Sequence, residues 1–334
     1  MLNIHVPEAS YVAPRLRITR TMVEDFIVDP VLAAEVLFGV RMDVFQKSRL
    51  RTYWWVPNVI DSSGIGSGKT SLGVFIWANL RSIILGDQRG LVMYQNLTSG
   101  ENQFWSKFHT MSSPLFQAQL GKMTKEGEAT GKANTQGASC HLQHYKNGSV
   151  LMMPAPDWLR GATGRAGEDV NFVALDEWTK SDAAKKEGLS GIDEQIVARV
   201  RRYSFNQHHP VWGNHWLYTA SAESPEHKSY AKVREFERKI KQGDPTYAHV
   251  SYSYKDYSDL PCGVAGKTFR QHFRNEATYE NIKLMGSAQF KRQGLGLWAK
   301  ETRGWYTEAS VARCRELGAR LGLRPETERG WMGS

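Results

Sequence analysis

Apolar positions along this chain follow two alternating periods. Short apolar runs bounded by turn residues predict strands at 56–60 (Val-Pro-Asn-Val-Ile), 90–94 (Gly-Leu-Val-Met-Tyr), 171–175 (Asn-Phe-Val-Ala-Leu) and 216–221 (Trp-Leu-Tyr-Thr-Ala-Ser). Between them the spacing is helical. Leu72, Phe75, Ile76, Leu80, Ile83 and Ile84 form one stripe over 71–85, and Phe104, Trp105 and Phe108 share a face over 99–111. Asp29-Pro30, an apolar run to Phe38 and then Gly39 predict a helix with an N-cap, a first-turn proline and a glycine exit. A hairpin is predicted over 140–154, turning at Asn147-Gly148, and a last strand over 247–254. Residues 120–137 are rich in Gly, Lys, Thr and Glu and predict an exposed loop. A polar segment at 181–190 precedes a helical 192–202 that carries Arg199, Arg201 and Arg202; from Thr268 on, the pattern is helical and then fades. Alternating strands and helices predict an α/β fold, with a mostly parallel central sheet and helices on both faces.

One junction between strand and helix carries chemistry. Residues 62–70 read Ser-Ser-Gly-Ile-Gly-Ser-Gly-Lys-Thr. Glycines let successive N–H groups point into one concavity, which binds phosphate oxygens at a helix N-terminus. The predicted nucleotide contacts are Ser63, Gly64, Ile65, Gly66, Ser67, Gly68, Lys69 and Thr70: Lys69 reaches the β- and γ-phosphates and Thr70 ligates Mg²⁺. The general pattern has glycine where this chain has Ser63. Serine disfavours positive φ, so that corner is either built differently or strained.

A second motif supplies the acids. The strand at 171–175 runs directly into Asp176-Glu177, placing two carboxylates where open α/β sheets bind ligands. Asp176 would face Mg²⁺ through water, and Glu177 would orient and deprotonate an attacking water. With the loop upstream, this pattern predicts a P-loop NTPase that hydrolyses ATP with Mg²⁺, of the additional-strand, catalytic-glutamate type. Gln46, ahead of a basic and aromatic stretch at 47–55, is either an adenine reader or a surface glutamine.

Composition narrows the partners. The longest apolar run, 73–78, is too short to span a membrane, and residues 1–10 carry no secretory pattern. Cys140, Cys262 and Cys314 are too far apart for a metal-binding spacing and are expected to be reduced. A net charge of +9 suits a polyanionic partner.

Taken in order, the motifs resemble the ATPase domain of tailed-phage large terminases, the motors that package DNA. The resemblance covers roughly 40–254 and runs through Phe45-Gln46, the loop 63–70, the Asn147-Gly148 hairpin, the Arg-Gly-rich 160–167, Asp176-Glu177 and Thr219-Ala220-Ser221. It implies a motor that moves double-stranded DNA into a procapsid. The partners it implies are a homo-oligomeric ring at the portal protein and a small terminase subunit, in the cytoplasm of an infected host and not at a membrane. It implies that Thr219, Ala220 and Ser221 couple hydrolysis to movement. It also implies that an arginine ahead of the acidic strand, Arg165 or Arg160, reaches a neighbouring subunit's γ-phosphate; either could instead face DNA or solvent. The expected organisation is an N-terminal helical or lid segment (1–40), the ATPase core (41–260) and a C-terminal helical subdomain or linker (261–334). After 254 no acids converge as two-metal nuclease chemistry needs, so a nuclease domain is not expected in this sequence. A helicase-like or recombination ATPase, and a nucleotide-gated assembly protein with little turnover, are the alternatives.

Overall fold

The computed structural model describes residues 18–111, 113–126, 140–154, 170–180, 213–257, 259–260, 268, 287–299 and 316. Eight strands form one sheet: β1 (Asn58–Asp61), β2 (Arg89–Met93), β3 (Leu120–Glu126), β4 (Cys140–Tyr145), β5 (Val150–Pro154), β6 (Phe172–Asp176), β7 (His215–Thr219) and β8 (Tyr247–Val250). Their order is β3-β4-β5-β2-β6-β7-β1-β8. From β5 to β8 every pairing is parallel, and the β3–β4 and β4–β5 pairings at one edge are antiparallel. Thus β7 lies between β1, which feeds the glycine-rich loop, and β6, which carries the acids.

Helices cover both faces, as the alternation predicts. On one side are α1 (Arg20–Val28), α2 (Pro30–Phe38), α3 (Val44–Trp55) and α4 (Ile76–Ile84), the last entered through a wide helical turn at Lys69–Phe75. Phe26, Leu37, Leu50, Trp54, Trp77 and Ile83 pack there in one cluster with Val59 and Val92 of the sheet. Phe75 is fully buried and meets Phe38, Phe104 and Phe108 edge-on; truncating such a ring to alanine costs about 3–5 kcal/mol. On the other side Val233 and Phe236, from the helix Tyr230–Lys241, cover Leu175 and Tyr218. All five residues of β6 are buried, which explains the apolar run of its first four, 172–175.

Helix α2 has the predicted ends: Asp29 Oδ1 accepts from Val31 N at 3.1 Å, and Gly39 exits at φ 65°. Elsewhere the boundaries move. The first strand starts at Asn58 rather than at Val56, beyond Pro57, which has no N–H for the ladder. The stretch 99–111 is three helical pieces, Leu97–Gly100, Glu101–Trp105 and Lys107–Thr110, yet its aromatic face is buried as expected. The last strand ends at Val250. The largest correction is at 120–137: its first seven residues form edge strand β3. An edge strand can carry Gly, Lys and Thr on an exposed face, a composition that reads as loop.

A candidate phosphate site at the carboxyl ends of three strands

The loop between β1 and the wide turn at Lys69 carries no strain at Ser63. Ser63 N donates to Asp61 Oδ1 at 2.8 Å, and Ser63 Oγ accepts from Tyr252 N at 2.9 Å. The positive φ values fall on Gly66 (81°) and Gly68 (76°). Serine therefore replaces glycine by capping two neighbours rather than by adopting a left-handed backbone.

The N–H groups of the loop divide into two sets. Gly64 N donates to Tyr252 O at 2.9 Å and Ile65 N to Gln293 O at 2.7 Å. The N–H groups of Gly66, Ser67 and Gly68 bond to no described residue. Consecutive unpaired donors at the head of a helix form an anion cradle. Lys69 lies beside them, 7% exposed, with Nζ donating to Ser63 O at 2.5 Å and Gly64 O at 3.1 Å. Burial lowers its pKa, against the pull of Asp61, Glu177 and Asp176.

Asp176 ends β6 and is 1% exposed. Its Oδ1 accepts from the Thr219 hydroxyl and, at 3.0 Å, from Glu177 N. Its Oδ2 is buried without an aligned hydrogen bond, although the hydroxyls of Thr70 and Tyr94 lie alongside the carboxylate. Burial raises the carboxyl's pKa, and Glu177 adds to this against the opposing Thr219, Thr70 and Lys69. Glu177 has φ 52°, a left-handed conformation unusual for a non-glycine residue, and costly by roughly 1–2 kcal/mol. Its Oε2 pairs with Lys180 Nζ at 2.6 Å.

This donor set suits Mg²⁺. A buried carboxylate oxygen without an aligned hydrogen bond stands beside a threonine hydroxyl, and magnesium takes hard oxygens, few of them from protein when phosphate is present. No larger group of His, Cys, Asp and Glu that could hold a metal occurs among the described residues.

Thr219, Ala220 and Ser221 are buried at the end of β7, and Ala220 N donates to Asp61 O at 3.1 Å. Gln46 is buried rather than on the surface. Its carbonyl accepts from Asp43 N at 2.9 Å in a capping box at the start of α3. Arg160, Arg165 and the Arg199–Arg202 group lie outside the described residues. Four further contributors lack a motif: Arg49 and Asp61 beneath the loop, Tyr94 beside Asp176, and the segment Phe290–Gly294 over Gly64. Only Asp61 carried a signal, as an acid ending an apolar strand. No described helix is long and apolar enough to cross a membrane.

No family model matches the chain, and no curated protein does. Solved structures match it. One crystal form of the large terminase from a thermophilic bacteriophage superposes with TM-score 0.50 at 15% identity, over 78% of this chain and 54% of that one. A structure of the same large terminase in complex with ADP gives TM-score 0.49 at 14% identity, over 77% and 54%. The large terminase ATPase domain of Thermus phage P74-26 gives TM-score 0.46 at 14% identity, over 84% and 98%. The chain spans about half the length of the first of these proteins. At this identity the likeness establishes the fold, a P-loop NTPase fold shared with that large terminase.

Proposed function

We propose that this chain is the ATP-hydrolysing motor of a large terminase and drives double-stranded DNA into a procapsid. One observation carries the reading: an anion cradle with Lys69 and Thr70 faces Asp176-Glu177, with Thr219 on the strand between. The order of motifs, the shared fold and the net charge of +9 support it.

In this reading the N–H groups of Gly66, Ser67 and Gly68 hold the β-phosphate, and Lys69 offsets charge on the β- and γ-phosphates. Gln46 has its amide nitrogen to offer adenine. Mg²⁺, held by Thr70 and Asp176, would supply charge neutralisation across the phosphates. Glu177 orients a water, takes its proton as oxygen attacks the γ-phosphorus, and the bond to the ADP oxygen breaks. Arg165 or Arg160 offsets developing charge from a neighbouring subunit, and Thr219–Ser221 exchange partners when phosphate leaves. The partners of this reading are DNA, further copies in a ring at a portal, and a small terminase subunit.

The test is steady-state ATP turnover with and without duplex DNA, for the wild type, Lys69→Ala and Glu177→Gln. Expected are DNA-stimulated turnover, loss of binding and turnover in Lys69→Ala, and retained binding with turnover down by about 10²–10⁴ in Glu177→Gln. DNA affinity should be sequence-independent and fall steeply with salt. Wild-type turnover in Lys69→Ala would sink the reading. A wild type that binds ATP but hydrolyses none, with or without DNA, would favour a nucleotide-gated assembly protein.

A further inference from the structure

A buried polar cluster beneath the loop takes no part in the chemistry above. Arg49, on α3, is 1% exposed. Its Nε lies 2.7 Å from Asp61 Oδ2, its Nη1 donates to Ser67 O at 2.5 Å, and its Nη2 donates to Ser67 Oγ at 3.0 Å. The guanidinium packs against Phe45 and Tyr252, 5.7 and 5.5 Å from their ring centroids. Tyr53, one turn further along α3, donates its hydroxyl to the same Asp61 oxygen. Asp61 Oδ1 in turn holds Ser63 N. Tyr252 closes the ring through its backbone, donating to Ser63 Oγ and accepting from Gly64 N.

We propose that Arg49 is the positioning residue of the phosphate loop: by tying Ser67 to Asp61 it aims the N–H groups of Gly66, Ser67 and Gly68 and so sets the affinity for the nucleotide's phosphates. The proposal rests on the phosphate-loop reading above. A loop with three glycines has many backbone states open to it, and unpaired N–H groups bind phosphate well only when held in one direction. Arg49 grips the loop at its entry, through Asp61, and at its crown, through Ser67. A guanidinium suits this task because its rigid fork serves several acceptors at once; an ammonium places one point charge and cannot hold both ends. Being covered, Arg49 acts through the loop and not on the ligand. The same grip accounts for serine at position 63: Asp61, fixed by Arg49 and Tyr53, is the acceptor that lets Ser63 turn the corner without positive φ.

The test compares Arg49→Lys with Tyr53→Phe in the full chain. ADP binding is read by calorimetry, adenosine binding by displacement of ADP, and folding by thermal melts. Turnover is resolved into kcat and KM. Arg49→Lys keeps the charge that Asp61 needs. It is expected to fold, to weaken ADP at least roughly tenfold, the scale of a lost charge-assisted hydrogen bond, and to leave adenosine within about threefold. Its kcat should fall together with its ADP affinity. Tyr53→Phe removes a bond to the same carboxylate without touching the crown; it should lower the melting temperature and leave ADP affinity within about threefold. Should Arg49→Lys not fold, Ser67→Ala deletes one Arg49 contact at the crown and should show the same ADP-selective loss. Unchanged ADP affinity in the folded Arg49 or Ser67 variant, or equal losses of ADP and adenosine, would overturn the proposal. A wild type that binds no ADP would instead overturn the phosphate-loop reading itself.

Discussion

Thr219 and Asp176 stand opposite each other in register at the ends of parallel strands β7 and β6, and the threonine hydroxyl donates to the Asp176 carboxylate. The residue expected to couple hydrolysis to movement therefore bonds directly to the residue expected to face the metal. Any change in the partners of Thr219 alters the charge balance at Asp176, and any change at Asp176 frees or recaptures Thr219.

Thr219→Val keeps the shape and deletes this donor. A hydrogen bond to a buried charge is worth about 1.5–3 kcal/mol, so kcat should fall between ~10- and ~100-fold with KM little changed. Burial raises the Asp176 pKa and Thr219 restrains that rise, so in the protein free of Mg²⁺ and nucleotide the ionised form needs a still higher pH once the hydroxyl is gone. Thr219→Val should therefore lose more stability relative to wild type at pH 8 than at pH ~4; thermal melts at the two values check the sign, and an equal or larger loss at the lower pH contradicts it.

Asp176→Asn tests the same carboxylate through stability. A carboxyl whose pKa is higher in the folded than in the unfolded state costs nothing below both values. Its cost grows as pH rises from the unfolded value through the folded one. Asp176→Asn should therefore raise the melting temperature at pH 7–8, without Mg²⁺ and nucleotide, and lose that advantage as pH falls towards ~4. It should meanwhile lose turnover. An Asp176→Asn protein less stable at pH 8 than at pH 4, relative to wild type, would mean the carboxylate is stabilised where it lies.

The proposed trans arginine can be tested by mixing subunits. Arg165→Ala should spare ATP binding and cut turnover where subunits assemble. In mixed assemblies, an Arg165→Ala subunit keeps its own Glu177 and can borrow arginine from a Glu177→Gln neighbour. Hydrolysis should partly return although neither pure variant shows it, since such an arginine is worth up to ~10³–10⁵ in rate. No recovery in demonstrably mixed assemblies argues for an arginine acting in cis, for Arg160, or for rings stalled by one dead subunit. Arg160→Ala in the same format isolates the second case.

Much of the sheet is written in local pattern. Residues 172–175 of strand β6 are an apolar run because both faces of the strand are buried, and α2 shows its caps in three residue types. The juxtaposition of the loop and the acid pair was legible because each motif sits at the end of an apolar strand of the one parallel sheet. Other features depend on contacts distant in sequence. Strand β3 exists because a hairpin edge offers it partners, not because its own residues favour extension. Arg49 reaches Ser67 across 18 positions, and Gln293 meets Ile65 from the other end of the chain; neither leaves a periodic trace. Ser63 shows the limit most clearly. A one-residue departure from the glycine pattern suggested strain, and two hydrogen bonds, one of them to Tyr252, remove it.

Gly64 and Gly294 define the last test. The segment Phe290–Gly294 lies on the glycine-rich loop: Ile65 N donates to Gln293 O at 2.7 Å, and a Cβ on Gly64 would stand 2.4 Å from Gly294 O. The obstacle is backbone, so no side-chain rotation relieves it. The same segment continues past Gly296, whose carbonyl accepts from Ser251 Oγ at 3.3 Å, to Trp298, packed on Tyr230. It therefore ties the loop to the helix on the far face of the sheet. Gly64→Ala must push this segment off the loop or move the loop itself. Overpacking of this kind costs about 1–3 kcal/mol, and the Ile65–Gln293 bond should be lost with it. Expected are a lower melting temperature, faster amide exchange over 290–297, and weaker ADP binding. Gly66→Ala is the control: its Cβ would meet nothing within 4 Å, but its φ of 81° strains any side chain. That variant should weaken ADP while leaving exchange at 290–297 unchanged. Equal exchange in both variants would show that the contact at Gly64 does not hold the segment in place.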